Sequence, residues 1–274
     1  MSEFYKVKKE SITLIADSIR AKTGDPNDLV FPDEFATAIN TISGESGDEA
    51  GIPTFGYTGT YTLVDDGDNN WRIKFLDSGT FTVENNVSVD VFCVGGGGSG
   101  SGHTSDTIKA GGGGGGYTTT ARNIYLEKGK EYSITIGAGG AATTGNGTGI
   151  AGGNTIFGNN LVVANGGSGG KDHGNGGGDG GSGGACKGGT TGGRDGSDGT
   201  PLTNQYRGKG QGTTTREFEE ADGTLYSSGG DSYAYTSQIL TGGNNTGDGG
   251  GGGGFYNGGG GGGSGIVVIR NARG

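Results

Sequence analysis

Few side chains in this sequence are of a kind, or stand close enough together, to support catalysis or metal binding. Histidine occurs only at His103 and His173, and cysteine only at Cys93 and Cys186. Two histidines without clustered acids or thiols make a poor metal site, so each is expected as an exposed loop residue. Cys186 stands among glycines with no helix terminus to lower its pKa. One disulfide is open to the chain, but two free thiols are the favoured reading. Glu217, Glu219 and Glu220 form an acidic group beside Arg216 and Phe218. A paired-carboxylate glycosidase would need a defined carboxyl separation, and a charged surface segment is the default. Asp66-Gly-Asp-Asn-Asn lacks the position-six glycine and distal glutamate of a calcium loop, and Asp195 and Asp198 belong to no strict calcium-binding repeat. Gly95-x-Gly97-x-x-Gly100 follows a strong strand pattern, but Ser101 to Ala110 is too short and polar for the helix that a dinucleotide turn requires. Neither an enzyme nor a cofactor is expected, and no metal site stands out.

Aromatic rings set in polar loops are the stronger signal. Tyr206, Tyr226, Tyr233 and Tyr235 are flanked by Ser, Gly, Asn and Asp. That is the composition of adaptable recognition surfaces, and aromatic faces suit sugar rings. These four are the candidate receptor-binding residues. Phe218 and Phe255 read instead as lids packed over glycine segments.

The elements that would position such loops fall into three parts. Residues 1–42 read as a pair of short helices with apolar faces Ile12, Ile15, Ala16, Ile19 and Phe35, Ile39, Ile42. Neither exceeds about three turns, so each needs a partner to be stable in water. Residues 43–53 are an acidic, glycine-bearing linker. Residues 54–274 alternate strand patterns with glycine runs. Strands are expected over 54–64, 71–76, 80–83, 87–94, 117–126, 131–136, 154–157, 161–164 and 266–270. The last, Ile-Val-Val-Ile-Arg, is apolar enough to insert beside a central strand.

Glycine decides the character of this third part. The chain has 71 glycines in 274 residues, and only eight precede Val94. Such a composition often marks a disordered segment, but here compact β-branched blocks interrupt the runs. Ordering glycine costs roughly 1 kcal/mol or more per residue, and no side chain offsets it, so the backbone must. The fold expected is mainly β: a short N-terminal helical segment, then a glycine-rich, β-sandwich-like domain carrying extended three-residue-per-turn polyglycine II helices bonded to one another. Wide ordered glycine loops on the sandwich are the alternative. A net charge of −10 argues against nucleic-acid binding. No apolar run is long enough to span a bilayer, and a secretory signal is not seen.

Three segments carry a resemblance. The run Ile12-Thr-Leu-Ile-Ala-Asp-Ser-Ile-Arg-Ala-Lys-Thr-Gly with Leu29-Val-Phe-Pro-Asp-Glu-Phe-Ala-Thr-Ala-Ile resembles a leader on tail-associated proteins of phages of Gram-positive bacteria. Val91-Phe-Cys-Val-Gly-Gly-Gly-Gly, Tyr132-Ser-Ile-Thr-Ile-Gly-Ala-Gly-Gly and the ending around Ser264-Gly-Ile-Val-Val-Ile-Arg are similar to phage glycine-rich tail-fibre domains. The glycine-rich extracellular domain of certain receptor tyrosine kinases is comparable, but the leader and the missing secretory signal point away from it. The resemblance implies a virion component, made in the bacterial cytoplasm. In that role residues 1–42 would join other tail or baseplate proteins, homo-oligomerisation (as a trimer) would be favoured, and the loops would meet a host-surface glycan or protein. Alternatives are a non-binding spacer of the tail and, with least support, a polysaccharide hydrolase.

Overall fold

A computed structural model of the chain describes residues 51–67, 70–103, 110–172, 176–186, 212–232, 240–254 and 258–273. The expected helical leader lies outside them. The strands are β1 (Phe55–Tyr57), β2 (Tyr61–Asp65), β3 (Trp71–Phe75), β4 (Gly79–Val83), β5 (Val87–Val94), β6 (Thr118–Leu126), β7 (Glu131–Thr135), β8 (Thr155–Phe157), β9 (Val162–Ala164) and β10 (Ile266–Asn271). They form two antiparallel sheets, β1-β4-β7-β8-β9 and β2-β3-β10-β5-β6. The stretch expected as one strand over 54–64 is two. The chain turns at Thr58-Gly59-Thr60 and crosses from one sheet to the other, and Tyr57 and Tyr61 still meet edge to face at 6.3 Å.

Period-two alternation sets the layers. Trp71, Ile73 and Phe75 of β3, Val89, Val91 and Cys93 of β5, and Val267 and Ile269 of β10 face the first sheet, meeting Phe81, Val83, Tyr132, Ile134, Phe157 and Val162. The C-terminal strand does insert centrally, between β3 and β5, with Ile269 opposite both Ile73 and Val91. Its other face and that of β5 are also buried, which is why both strands read as continuous apolar runs.

From one end of this sandwich the glycine segments leave and return. Val94, Ile266 and Thr118 share that end of their sheet by register, as do Thr135, Thr155 and Ala164 of theirs. Phe55 and Asn271 lie at the opposite end. The 95–102 tract is held by main-chain bonds whose partners repeat every third residue. Its Gly95, Gly98 and Ser101 amides donate to Tyr117, Gly114 and Gly111; Gly96, Ser99 and Gly102 donate to Gly153, Ile150 and Gly147; Gly97 and Gly100 donate to Gly263 and Gly260, all at 2.8–3.0 Å. Falling partner numbers mark three antiparallel neighbours. Its carbonyls accept from Gly140, from Gly167 and Gly170, and from Gly250 and Gly253, three parallel ones. The 112–117 tract behaves alike: Gly112 and Gly115 donate to Ala185 and Ser182, Gly113 and Gly116 to Gly250 and Gly247, Gly114 and Tyr117 to Ser168 and Asn165. Two central tracts thus stand inside rings of others, and main-chain groups satisfy one another without a sheet.

Glycine is required here by proximity rather than by backbone angle. Among the described glycines, positive φ is confined to Gly67, Gly129, Gly145, Gly158, Gly176 and Gly247. A Cβ at Gly98 would sit 2.1 Å from the Ser168 carbonyl oxygen, and one at Gly113 would sit 2.0 Å from that of Gly98. Peripheral tracts escape the restriction at every third position. Exposed Asn165, Ser168 and Lys171 alternate with buried and half-buried glycines, as do Ala138 and Ala141.

Candidate functional site

Two regions of the described structure bear on function: the far end of the glycine bundle and a charged cleft on the flank of the sandwich.

The tracts turn back at the end remote from the strands. Gly102, Ala110, Gly147, Gly170 and Gly253 lie there by the bonding pattern above. So do Ser232, bridged to Gly252, and Leu240, whose carbonyl accepts from the Gly251 amide at 2.8 Å. Ser232 and Leu240 bracket the segment holding Tyr233 and Tyr235. These two tyrosines, Tyr206, Phe255 and His173 are outside the described residues, as are Asp195 and Asp198. His103, expected to be exposed, is 4% exposed instead, with Nδ1 2.9 Å from Asn146 Oδ1. The Gly95, Gly97 and Gly100 amides are consumed by the carbonyls of Tyr117, Gly263 and Gly260, so none of the three is left to hold a phosphate.

The flank is built by residues 212–227, a strap lying over the outer face of β3, β10 and β5. It folds as a narrow hairpin: the Glu217 amide donates to the Thr224 carbonyl at 2.9 Å and the Tyr226 amide to the Thr215 carbonyl at 3.0 Å. Phe218 and Glu219, both at positive φ (54° and 63°), make its bend. Phe218 and Tyr226 pack against Phe92, Val94, Ile266 and Val268. The lid expected of Phe218 is therefore real but covers the sheet, not the glycine tracts. Tyr226, expected among the receptor-facing rings, is 6% exposed and sits 5.6 Å from the Phe92 ring. Its apolar body fills the face left by β5 and β10, and its hydroxyl finds a buried partner.

That partner is Glu217, itself 4% exposed rather than a surface acid. Tyr226 donates to its Oε2 at 2.9 Å, Lys74 Nζ donates to the same oxygen at 2.9 Å and to the Tyr226 hydroxyl at 3.1 Å, and Arg72 Nε lies 2.9 Å from Oε1. Burial, reinforced by the Glu217 charge, pushes the Tyr226 phenol well above its ordinary pKa. A second cluster adjoins it. Arg270, fully buried over the Phe218 ring at 4.1 Å, reaches Asp90 Oδ2 at 3.3 Å and Glu220 Oε1 at 2.6 Å. Arg122 joins Asp90 at 3.4 Å and donates to the Phe218 carbonyl at 2.9 Å. Asp90 and Arg270 sit singly within apolar strands, and a lone charge in a run buried on both faces demands a partner. That was the available sequence signal, though it could not name the strap.

Beside Glu217 a cleft of about 240 Å³ opens between Val64, Arg72 and Lys74 on β2 and β3 and Glu220, Asp222, Gly223 and Thr224 on the strap. Among the described residues no group of three or more His, Cys, Asp or Glu is placed to hold a metal ion. Cys93 and Cys186 are both buried, and no disulfide joins them.

Residues 76–272 match the family described as a glycine-rich domain. No curated protein matches the chain.

Proposed function

Since the chain belongs to the glycine-rich domain family, we propose that it is a structural and adhesive component of a phage tail, a fibre or tail-tip protein that contributes to host-surface attachment. The observation that carries this reading is the opposition of the two poles. The first described residue, Gly51, leads into β1, which the chain enters at the end of the sandwich remote from the glycine tracts. The glycine tracts turn at the other end. Between the two poles runs a block of mutually bonded main chain whose period of three matches polyglycine II helices, about 20 Å long at about 3.1 Å per residue. Such a block is stiff without side chains and fixes the described tract ends, such as Gly102, Ala110, Ser232 and Leu240, from which the connecting segments leave. An attachment protein needs a base that joins the particle and a rigid block that carries its contact segments away from that base. Trimerisation through residues 1–42 would multiply weak contacts at the tip.

The test uses the purified full chain and bacterial cells. Saturable binding is expected, retained when residues 1–42 are deleted if the protein is presented multivalently, and lost when residues 233–239 are replaced by a glycine-serine linker. Antibodies against the chain should label tail ends of phage particles. Absence of both cell binding and tail labelling refutes the reading; tail labelling without binding leaves the spacer.

A further inference from the structure

We propose that the cleft between β2–β3 and the strap is a binding site for a single neutral, polyhydroxylated sugar ring. The inference rests on the attachment reading only for its biological meaning; the chemistry is that of the cleft. Size comes first. At about 240 Å³ it falls below the roughly 300–1,000 Å³ of sites for larger organic ligands, so one ring fits and a chain does not.

Charge then excludes the simpler ligands. Both cations at the floor already face acids: Arg72 meets Glu217 and, through Nη1, Asp66 Oδ2 at 3.0 Å, and Lys74 meets Glu217. Glu220 is engaged by Arg270 and by Arg273 at 3.5 Å. No excess of positive charge remains for a phosphate or sulfate, and Asp222 adds a negative one. A metal ion lacks its ligand group among the described residues.

What remains is directional and nearly neutral. An ammonium has three donors, and Lys74 uses two, on Glu217 and the Tyr226 hydroxyl. A guanidinium has five, and Arg72 leaves several unused. The strap's side of the lining is made by Glu220, Asp222, Gly223 and Thr224, whose carboxylates and hydroxyl are acceptor-bearing groups. Donor-bearing residues line the strand side and acceptor-bearing residues the strap side, with Val64 the apolar member of the lining, paired with Arg72 across β2 and β3. Vicinal ring hydroxyls, each both donor and acceptor, match such a set, and the C–H face of a pyranose suits Val64. The buried Glu217 network holds Arg72 and Lys74 in place beforehand, which lowers the ordering cost of binding.

The experiment is protein-observed NMR on the full chain, titrated with methyl glycosides of glucose, galactose, rhamnose and N-acetylglucosamine. Inorganic phosphate and calcium chloride serve as comparison probes. At least one glycoside is expected to shift the Val64, Asp222, Gly223 and Thr224 amides saturably in the millimolar range. Asp222→Ala and Thr224→Val should each weaken binding about tenfold, as for the loss of one good hydrogen bond, with unchanged thermal melting because both residues are exposed. No glycoside shifting these amides, shifts that survive both substitutions, or tighter binding of phosphate or calcium would overturn the proposal. Sugar binding here without binding of the protein to bacterial cells keeps the site and discards attachment. Saturable cell binding with a silent cleft does the reverse.

Discussion

The main-chain bundle predicts a sharp positional rule, tested best at Gly98 against Gly147. A Cβ at Gly98 would lie 2.1 Å from the Ser168 carbonyl oxygen, whereas one at Gly147 meets nothing within 4 Å. Real Cβ atoms do not come within 3.0 Å of such an oxygen, so Gly98→Ala must separate the 95–102 and 165–170 tracts by about 1 Å. That displacement strains the bonds that join the two tracts, from the Gly167 amide to the Gly96 carbonyl and from the Gly170 amide to the Ser99 carbonyl, now 2.8 and 2.9 Å. One buried amide left unpaired costs about 1–3 kcal/mol, and forced repacking adds about 1–3 kcal/mol. Gly98→Ala should therefore cost about 2–6 kcal/mol, a large share of a total stability of about 5–15 kcal/mol. Gly147→Ala should lie within about 0.5 kcal/mol of the parent or be slightly stabilising, through a less flexible unfolded chain. Urea unfolding of the two variants and the parent measures the difference. Equal effects at the two positions would refute the claim that close main-chain approach is what fixes glycine here.

Further outcomes follow from the strap and the core. Phe218→Ala should destabilise by about 3–5 kcal/mol, because the ring is fully buried between Phe92 and Arg270; denaturant unfolding reads it. Asp90→Ala leaves buried Arg270 with Glu220 alone and should cost about 3–5 kcal/mol in the same assay. Stability should fall as pH rises above about 10. Burial, then the Asp77 charge, raises Tyr57 to about 12, and Tyr226 is raised too, so the unfolded chain ionises first and gains. The loss begins at the unfolded value of about 10 and for Tyr57 runs to about 12; Tyr226→Phe should flatten the decline in pH-dependent melting. Cys93, whose thiol pKa is raised by complete burial, should resist alkylation until the protein unfolds, as mass spectrometry would show.

The strands and the demand for glycine are legible in the residues alone. Alternation in Trp71–Phe75 and the apolar runs of Val87–Val94 and Ile266–Asn271 announce themselves, because a strand's faces are written in its own residues. The central insertion of the last strand was legible for the same reason. Even the bundle left a local trace: pure glycine at 111–116, where the tract is surrounded, and a side chain at every third position in 165–171, where it is peripheral. Which tract meets which, however, is carried by identical amides and carbonyls. No residue type encodes the partner, and only the packed chain assigns the Gly98 amide to the Gly114 carbonyl rather than to that of another glycine. The flank was equally hidden. Tyr226 and Glu217 read as surface residues because their segment is polar, and their burial depends on Phe92, Val268, Arg72 and Lys74, far off in the chain on other strands. A side chain's own sequence neighbours fix its local conformation; its solvent exposure is decided by whatever the tertiary fold brings to the other side.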